Sequence, residues 1–211
     1  MSEEISDQLI ATATGLSSAT LHEAAGRIGA LPAVIKPLAS GVKLCGRAFP
    51  VSTEAGDNLW LHRAIYAAAP GDVLVVEVSP GEEYGYWGEI MAFAAQQQGL
   101  AGLVIAGGVR DSQRLLEMRF AVFAATVCIR GTGKRLEAKG SIAEPVRIGA
   151  VTIGRGDLVL GDADGVVVIP RSQAAAAVEK SLQREAHEQQ LLAQLRAGKR
   201  SIDIYEPAVK G

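Results

Sequence analysis

The residues best suited to chemistry are Arg110 and Asp111, which follow two glycines at the end of an apolar run. A guanidinium offers a planar fork of donors for a carboxylate or a developing enolate oxygen. An aspartate carboxylate is a hard oxygen ligand, and one carboxylate with several waters is the usual arrangement around Mg²⁺. The alternative is a surface ion pair at the start of a helix, where aspartate is favoured anyway. The local pattern leaves both interpretations open.

A second candidate element begins at Gly88, where the pattern predicts the start of a helix. The first amides of a helix lack intrahelical partners, and glycine lets a ligand approach the backbone closely. We therefore expect the amides of Ile90 and Met91 to hold a carboxylate, helped by the helix dipole. Ligands of α/β proteins gather beyond the carboxyl ends of strands, so segments 79–88 and 107–112 are expected to be neighbours.

The elements that must position these residues alternate between strand-like and helical patterns. Val73 to Val78 is a nearly continuous β-branched run, typical of a buried strand, and 102–106 is another. A long helix is predicted over about 172–197, with Ser172 as its cap. No repeat or linker divides residues 1–211, which predicts a single mixed α/β domain with two packed layers of strands. Further helices are predicted at 4–14, from Ser18 or Thr20, at 58–68, at 88–98 and from Ser112 to Met118, with strand-like runs at 42–45 and 48–53.

Composition and charge argue against several classes of protein. Twenty-one basic and 23 acidic side chains leave a net charge of −2, which does not favour a nucleic-acid partner. No apolar run approaches the roughly 20 residues needed to span a bilayer, so no membrane partner is expected. The N-terminus lacks the regions of a signal peptide, and we expect a cytoplasmic protein. Cys45 and Cys128 are expected to be free thiols, and their spacing does not indicate a zinc site.

Two other groups of polar residues have simpler explanations than ligand binding. Asp57 and Asn58 resemble a helix cap first and a ligand second. Asp162 and Asp164, in the sequence GDADG, look like paired metal carboxylates, but a tight turn between strands explains them better.

A series of motifs follows in order along nearly the whole chain. These are TLHEAAGRIGAL at 20–31, GDN at 56–58, PGDVLVV at 70–76, GYWGE at 85–89, GLAGLVIAGGVRD at 99–111, RGTGKR at 130–135, GDLVLGDADGVVVIP at 156–170 and REAHE at 184–188. Together they resemble the family that joins class II 4-hydroxy-4-methyl-2-oxoglutarate/4-carboxy-4-hydroxy-2-oxoadipate aldolases with the regulator of ribonuclease E activity, the RraA-like family. Its signature is an acidic residue, twenty intervening positions and then Arg-Asp, which Glu89, Arg110 and Asp111 match. This sequence departs from the pattern in having Glu89 where Asp is usual, and Arg114 where the aldolases have an acidic residue.

The resemblance implies a swivelling β/β/α-type domain and a metal-dependent lyase acting on a small 2-oxo acid. The backbone of Gly88 to Met91 would bind the pyruvyl carboxylate, Arg110 the keto oxygen, and Asp111 a Mg²⁺ or Mn²⁺ ion. A 4-hydroxy-2-oxo acid such as 4-hydroxy-4-methyl-2-oxoglutarate would be cleaved to pyruvate through its enolate, which water near Glu89 and Arg110 would reprotonate. Oxaloacetate decarboxylation would pass through the same enolate.

The resemblance also implies homotrimers or homohexamers with sites between subunits, completed by a glutamate from the neighbour's C-terminal helix. Glu185 and Glu188 are both candidates. The spacing of this helix places an apolar stripe on one face, and Glu185 falls on it, where a carboxylate is costly unless paired. That stripe consists of Ala175, Val178, Leu182, Gln189 and Leu192.

Two rival functions stay open at this point. The first is a lysine Schiff-base aldolase, although the sequence has no lysine in or beside 88–111 and nothing near Lys43 suggests a lowered pKa. The second is a non-catalytic regulator that binds a ribonuclease or a helicase, since one fold serves several functions.

Overall fold

The computed structural model describes residues 4–81 and 83–209. Its helices are α1 (Asp7–Thr14), α2 (Ser18–Ala24), α3 (Leu59–Ala67), α4 (Glu89–Gln97), α5 (Ser112–Met118), α6 (Arg171–Arg196) and α7 (Ser201–Val209). Its strands are β1 (Lys36–Pro37), β2 (Leu44–Thr53), β3 (Asp72–Val78), β4 (Gly85–Trp87), β5 (Gly102–Val109), β6 (Val122–Val127), β7 (Gly140–Ile142), β8 (Val146–Ile148), β9 (Val151–Ile153), β10 (Leu158–Asp162) and β11 (Gly165–Ile169).

A mixed sheet runs through the molecule in the order β1-β6-β5-β3-β2-β10-β11, with β4 added to β5 and β7 added to β2. Strands β2, β3, β5 and β6 are parallel neighbours, and the hairpin β10–β11 joins β2 antiparallel. The hairpin β8–β9 is a separate small sheet. The parallel half aligns the carboxyl ends of β3, β5 and β6 at one edge, where loops carry ligands in α/β folds.

Alternating side chains divide the core into layers. In β3, Leu74 and Val76 pack into a cluster with residues of α3, α4 and α5. Val73 and Val75 point the other way and share a second cluster with Val159 of β10 and residues of β8, β9 and β11. The outer side chains of β10 and β11 pack against α1, α2 and α6. The sheet therefore folds over on itself between two helical layers, which confirms the predicted α/β fold with layered strands and a long C-terminal helix.

Several predicted boundaries were wrong for local reasons. The first helix begins at Asp7 because Ser6 caps it, accepting a hydrogen bond from the Leu9 amide at 3.2 Å. Ser17 caps α2, rather than Ser18 or Thr20. The two strand-like runs predicted between 42 and 53 belong to one strand, β2. Gly46 interrupts the apolar sequence pattern there but continues the strand, and a Cβ at this position would lie 2.6 Å from the Gly71 carbonyl oxygen.

The buried face of α6 also differs from the predicted stripe. Its N-terminal half buries Ala174, Ala177, Val178 and Ser181, while Ala175 is exposed. Pro170, and not Ser172, occupies the cap position, without a side-chain hydrogen bond. In the part of the chain that the structure describes, none of the helices is long and apolar enough to cross a membrane.

Candidate functional site

The site lies where β4 pairs in parallel with the end of β5. Trp87 pairs with Val109, and the Arg110 amide donates to the Trp87 carbonyl oxygen at 2.8 Å. This pairing places Gly88, at the start of α4, beside Arg110 and Asp111, at the start of α5. The predicted proximity of segments 79–88 and 107–112 is confirmed.

Asp111 has a left-handed backbone conformation, with φ 53° and ψ 37°. Aspartate tolerates this region better than most residues because of its short polar side chain. The carboxylate does not cap its own helix, and Oδ2 instead accepts a hydrogen bond from the Glu89 amide at 3.1 Å. The predicted cap, Ser112, is the first residue within α5. Asp111 is thus tied to the neighbouring helix by one oxygen.

Gly88 allows this close approach. Its φ of −151° and ψ of −169° are open to any residue, so space and not conformation requires glycine here. A Cβ at this position would lie 2.4 Å from Asp111 Oδ2 and 3.2 Å from Arg110 Cγ. Any side chain would push the carboxylate away from the helix terminus.

The Arg110 side chain lies over the same edge, about half exposed. Its Nε is 3.9 Å from Asp111 Oδ2, a distance of charge attraction rather than hydrogen bonding. Two more glycines make room for it: a Cβ on Gly85 would lie 2.9 Å from Arg110 Cβ, and one on Gly131 would lie 3.3 Å from its Nη1. The guanidinium is therefore placed beside the carboxylate with donors left for another group.

A pocket of about 160 Å³ opens between these residues, and its lining includes Gly88, Ile90, Met91, Arg110 and Asp111. Ile90 and Met91 belong to the first turn of α4, whose amides have no intrahelical acceptor. The Glu89 amide is already engaged by Asp111. Of the amides predicted to hold a carboxylate, those of Ile90 and Met91 remain to face a ligand.

The lining also contains His62 and Lys134, which the sequence analysis missed, and Asn58, which it treated as a helix cap first, together with Tyr86. His62 comes from α3, and Lys134 from the loop at 130–135. Burial lowers the pKa of the His62 imidazole, and the charge of Lys134 lowers it further. The RGTGKR motif was the only sequence signal for Lys134, because no periodicity connects a loop to a distant helix.

Asp57 fixes that loop against α3. Its carboxylate is fully buried, accepting hydrogen bonds from the Leu59 amide at 2.9 Å and the Arg135 amide at 2.6 Å. The Gly133 amide donates to the Gly56 carbonyl oxygen at 2.7 Å. Asp57 is therefore a structural tether, in agreement with the reading of it as a cap first.

Asn58 connects α3 to β4 and α4. Its Nδ2 donates to the Tyr86 carbonyl oxygen at 2.8 Å and lies 3.4 Å from Met91 Sδ. It occupies the cap position of α3 without a side-chain capping bond. The side chain is buried, so it braces α3 against β4 and α4 beside the pocket.

The donor set suits a hard, well-hydrated divalent cation. Within residues 4–81 and 83–209, no group of three or more His, Cys, Asp or Glu side chains is gathered that could cage a metal. Asp111 offers a single partly exposed carboxylate, with Oδ1 not engaged by any other described residue. One carboxylate plus waters is a Mg²⁺-type arrangement, whereas structural zinc needs four protein ligands.

The three predicted glutamates lie outside this lining. Glu89 is exposed at the first position of α4. Glu185 and Glu188 line a separate hollow on the other side of the fold, with Ser17 and Thr20 near α2. Glu188 is paired with Arg184 at 2.9 Å. Neither α6 glutamate shares the pocket of Arg110 within one chain.

The GDADG turn is structural, as predicted. Asp162 accepts hydrogen bonds from the Ser18 amide at 2.7 Å, the Ser18 hydroxyl at 2.6 Å and the Asp164 amide at 3.0 Å. Burial alone would raise the pKa of Asp162, but these donors hold it below its ordinary value. The hydrogen bonds of its two oxygens connect β10 to α2.

Comparison with known proteins gives relatives of two kinds. A family profile described as RraA-like (Aldolase/RraA) matches residues 3–168. A Halalkalibacterium halodurans protein, provisionally named a 4-hydroxy-4-methyl-2-oxoglutarate aldolase, is 34% identical over 75% of either chain. The 4-hydroxy-4-methyl-2-oxoglutarate aldolase of Thermus thermophilus is 28% identical over 67% of this chain and 84% of its own. Streptomyces coelicolor RraAS2, described as an unusual member of the RNase ES inhibitor RraA family, superposes with a TM-score of 0.78 at 28% identity, over 90% of this chain and 98% of its own.

Proposed function

Because the chain belongs to the RraA-like family, we propose that it is a divalent-metal-dependent lyase that cleaves a 4-hydroxy-2-oxo acid to pyruvate. The observation that carries this proposal is that Arg110, Asp111 and the first turn of α4 together line one pocket. The names of two aldolase relatives support the reaction class. A substrate of the 4-hydroxy-4-methyl-2-oxoglutarate type fits that class.

Substrate binding follows from the donors at the pocket wall. The amides of Ile90 and Met91 would hold the carboxylate next to the keto group, at the positive end of the α4 dipole. Asp111 would hold Mg²⁺ or Mn²⁺ through its free oxygen, completed by waters. A bound ion would supply Lewis-acid polarisation of the keto oxygen.

Arg110 would act on the charge that develops during bond cleavage. As the C3–C4 bond breaks, its electron pair moves into the pyruvate enolate, the C4 hydroxyl gives its proton to water in the pocket, and C4 becomes a carbonyl carbon. The guanidinium stabilises the enolate oxygen, a contribution of about 3–4 kcal/mol for a well-placed donor. Water near Glu89 and Arg110 would return a proton to C3. Oxaloacetate would give the same enolate by losing CO₂, so decarboxylation is proposed as a second activity.

We also propose that the working form is a homotrimer or homohexamer of a single-domain chain in the cytoplasm, with sites between subunits. Ile90 and Phe93, on the α4 face beside the pocket, are 77% and 58% exposed. Such side chains favour contact with another protein surface. Glu185 or Glu188 of a neighbour would enter the site there, since neither reaches it within one chain.

The Schiff-base route needs a test of its own, because folding brings Lys134 to the pocket although no lysine is near in sequence. Borohydride reduction in the presence of pyruvate would trap an imine and inactivate a lysine-dependent aldolase. We expect an unmodified, active protein. Covalent labelling of Lys134 would overturn the metal-dependent assignment.

The second candidate function is a non-catalytic regulator of a ribonuclease, favoured by the fold similarity to RraAS2. Glu89, Arg110 and Asp111 together favour catalysis. The deciding experiment measures pyruvate release from 4-hydroxy-2-oxo acids and oxaloacetate after chelation and after return of Mg²⁺ or Mn²⁺. We expect activity only with metal and none in Asp111→Ala, which should still fold. Activity that survives chelation or this substitution would refute the proposal.

A further inference from the structure

A second cavity, larger than the pocket lined by Asp111, lies at the other end of α5. Its volume is about 340 Å³, against about 160 Å³ for the Asp111 pocket, and it is lined by segment 38–43 and by residues of segment 115–122. We propose that the second cavity binds a small amphipathic monocarboxylate, with the carboxylate on Arg119 and the apolar part against Leu116. This site takes no part in the proposed reaction.

The chain between β1 and β2 forms one side of the second cavity. The Leu38 amide donates to the Val122 carbonyl oxygen, at the start of β6, at 3.1 Å. Segment 39–43 then leaves β6 and reaches Leu44, the first residue of β2, on the far side of β5 and β3. Since these four strands are parallel, the segment crosses the amino-terminal edge of the sheet. The second cavity and the Asp111 pocket therefore lie at opposite edges.

Large apolar side chains supply much of the lining. Phe120 stacks on the buried Trp87 ring, with the ring centroids 6.0 Å apart, which fixes Phe120 beside the cavity. Leu116 is 43% exposed and offers its apolar surface to a ligand. Small-molecule sites are commonly cavities of about 300–1,000 Å³ with an apolar lining and a few polar groups. The apolar lining residues include Leu38, Leu115, Leu116, Phe120 and Val122.

The charged residues of the lining favour an anionic ligand. Arg119 is exposed, and no hydrogen bond, ion pair or ring contact engages its guanidinium in the part of the chain that the structure describes. Lys43, the other cation, donates to the Thr14 and Leu16 carbonyl oxygens at 3.3 and 3.2 Å, which ties it to the end of α1. None of the described lining residues is acidic. An anion would complement this charge, and Arg119 has the free donors to bind it.

Arg119 also carries a side chain where glycine is the usual residue. It ends α5 in the left-handed conformation, with φ 54° and ψ 27°, a helix-end position that glycine occupies most often. Arg27 has a similar φ of 63°, and its guanidinium is paired with Glu23 at 3.6 Å. Arg119 has no such partner among the described residues. The comparison favours a ligand as the partner of Arg119.

The probe is octanoate, which joins a carboxylate to an apolar chain and lacks the keto oxygen of a 2-oxo acid. Binding to the full chain is followed by NMR of labelled methyl groups. Octanoate should shift the signals of Leu116 and Val122 and leave those of Ile90 and Met91 unchanged, and Asp111→Ala should bind it as wild type does. Shifts confined to Ile90 and Met91, or no shifts at all, would overturn the proposal. Pyruvate release does not enter this result, so it stands or fails separately from the proposed function.

The charge of the head group tests the role of Arg119. Wild type should bind octanoate more tightly than octylammonium, and octan-1-ol controls for the chain. Arg119→Gln should weaken octanoate about fivefold, as for an exposed ion pair, and octan-1-ol by less than about twofold. The matched control is Arg114→Gln, because Arg114 is exposed on α5, paired with Glu117 at 2.8 Å and outside the cavity lining. Octylammonium binding as tight as that of octanoate, or equal losses in the two variants, would contradict a carboxylate site.

The apolar part of the site is tested by Leu116→Ser, which should fold because the side chain is already 43% exposed. It should weaken octanoate and octan-1-ol alike, by about threefold, because both complexes lose buried apolar area. Leu195, 38% exposed on α6 and outside the lining, gives the control Leu195→Ser, which should weaken neither. Octanoate affinity that Leu116→Ser leaves unchanged would contradict the position given to the apolar chain.

Discussion

Two aspartates, Asp111 and Asp162, follow or end strands in separate parts of this protein, and their surroundings give them opposite roles. Asp162, at the end of β10, receives three donors: the Ser18 amide and hydroxyl and the Asp164 amide. Asp111, after β5, receives one, from the Glu89 amide at 3.1 Å, and 42% of its side chain is exposed. Both lie in glycine-containing, charged turns that look alike in sequence. A carboxylate that already accepts several hydrogen bonds from the protein has no free oxygen for a ligand, whereas one that accepts a single hydrogen bond does.

The cations beside these turns differ in the same way. Lys36 donates to the Asp164 carbonyl oxygen at 2.6 Å, which commits it to the turn. Arg110 is 3.9 Å from Asp111 and keeps donors free over the pocket. A structural turn uses its polar groups on the chain itself, whereas a site leaves some of them to face a cavity.

The largest effect is expected from Arg110→Gln, which removes the guanidinium beside Asp111 in the loop after β5. Loss of a donor to a developing oxyanion should reduce kcat about 10²- to 10³-fold with little change in stability. Steady-state pyruvate release and thermal unfolding are the measurements. The matched control is Lys36→Gln, which should leave kcat unchanged. Similar kcat values for wild type and Arg110→Gln would contradict the assignment of catalysis to the turn at Asp111.

Asp162→Ala should have the next largest effect, on stability rather than activity. Losing the acceptor for the Ser18 and Asp164 donors should lower the free energy of unfolding by about 2–3 kcal/mol. Denaturant titration measures it, with Asp164→Ala as the control, since the side chain of Asp164 has no hydrogen bond in the described chain. An Asp162→Ala protein that is as stable as wild type but inactive would contradict the structural role assigned to Asp162.

The pH dependence of stability sharpens this contrast. Because its donors hold the pKa of Asp162 below the ordinary 3.8, its stabilisation is complete above about pH 4 and is lost as pH falls through the lower, folded value. Urea titrations of wild type and Asp162→Ala should therefore differ most above pH 4 and converge at more acid pH. A gap that widens on acidification would contradict the cause given for the shift.

The smallest effect is expected from Gly88→Ala, which tests the close packing of Gly88 against the Asp111 carboxylate. The added Cβ would lie 2.4 Å from Asp111 Oδ2, so the carboxylate must move from the Glu89 amide. We expect metal affinity to fall about tenfold, within the range for groups that orient a ligand. Mn²⁺ titration measures it, and Gly154→Ala, where the added Cβ would meet its first neighbour at an ordinary 3.5 Å, should leave the affinity unchanged.

Local patterns predicted much of the fold and half of the site. The β-branched run at 73–78 is β3, the segment 102–106 lies within β5, and Gly88 immediately precedes α4. These features depend on neighbours in sequence, so periodicity and capping rules apply to them. The position of Arg110 and Asp111 beyond a strand followed from the same rules.

The other half of the site depends on contacts between distant segments. Lys134 reaches the pocket because Asp57, nearly eighty positions earlier, binds the Arg135 amide. His62 lines the same pocket as Asp111 because α3 packs into the same core cluster as α4 and α5. The buried face of α6 was predicted correctly only at Val178, because α1 and α2 set which residues of this helix are buried.

The most direct test of the central claim is Mn²⁺ binding, followed by paramagnetic resonance, in wild type, Asp111→Asn and Asp162→Asn, each with and without pyruvate. We predict that wild type and Asp162→Asn bind one Mn²⁺ per chain, with tighter binding when pyruvate is present. Asp111→Asn should lose both the ion and the pyruvate effect while remaining folded. Unchanged Mn²⁺ binding in Asp111→Asn, or its loss in a folded Asp162→Asn, would contradict the assignment of the metal to Asp111.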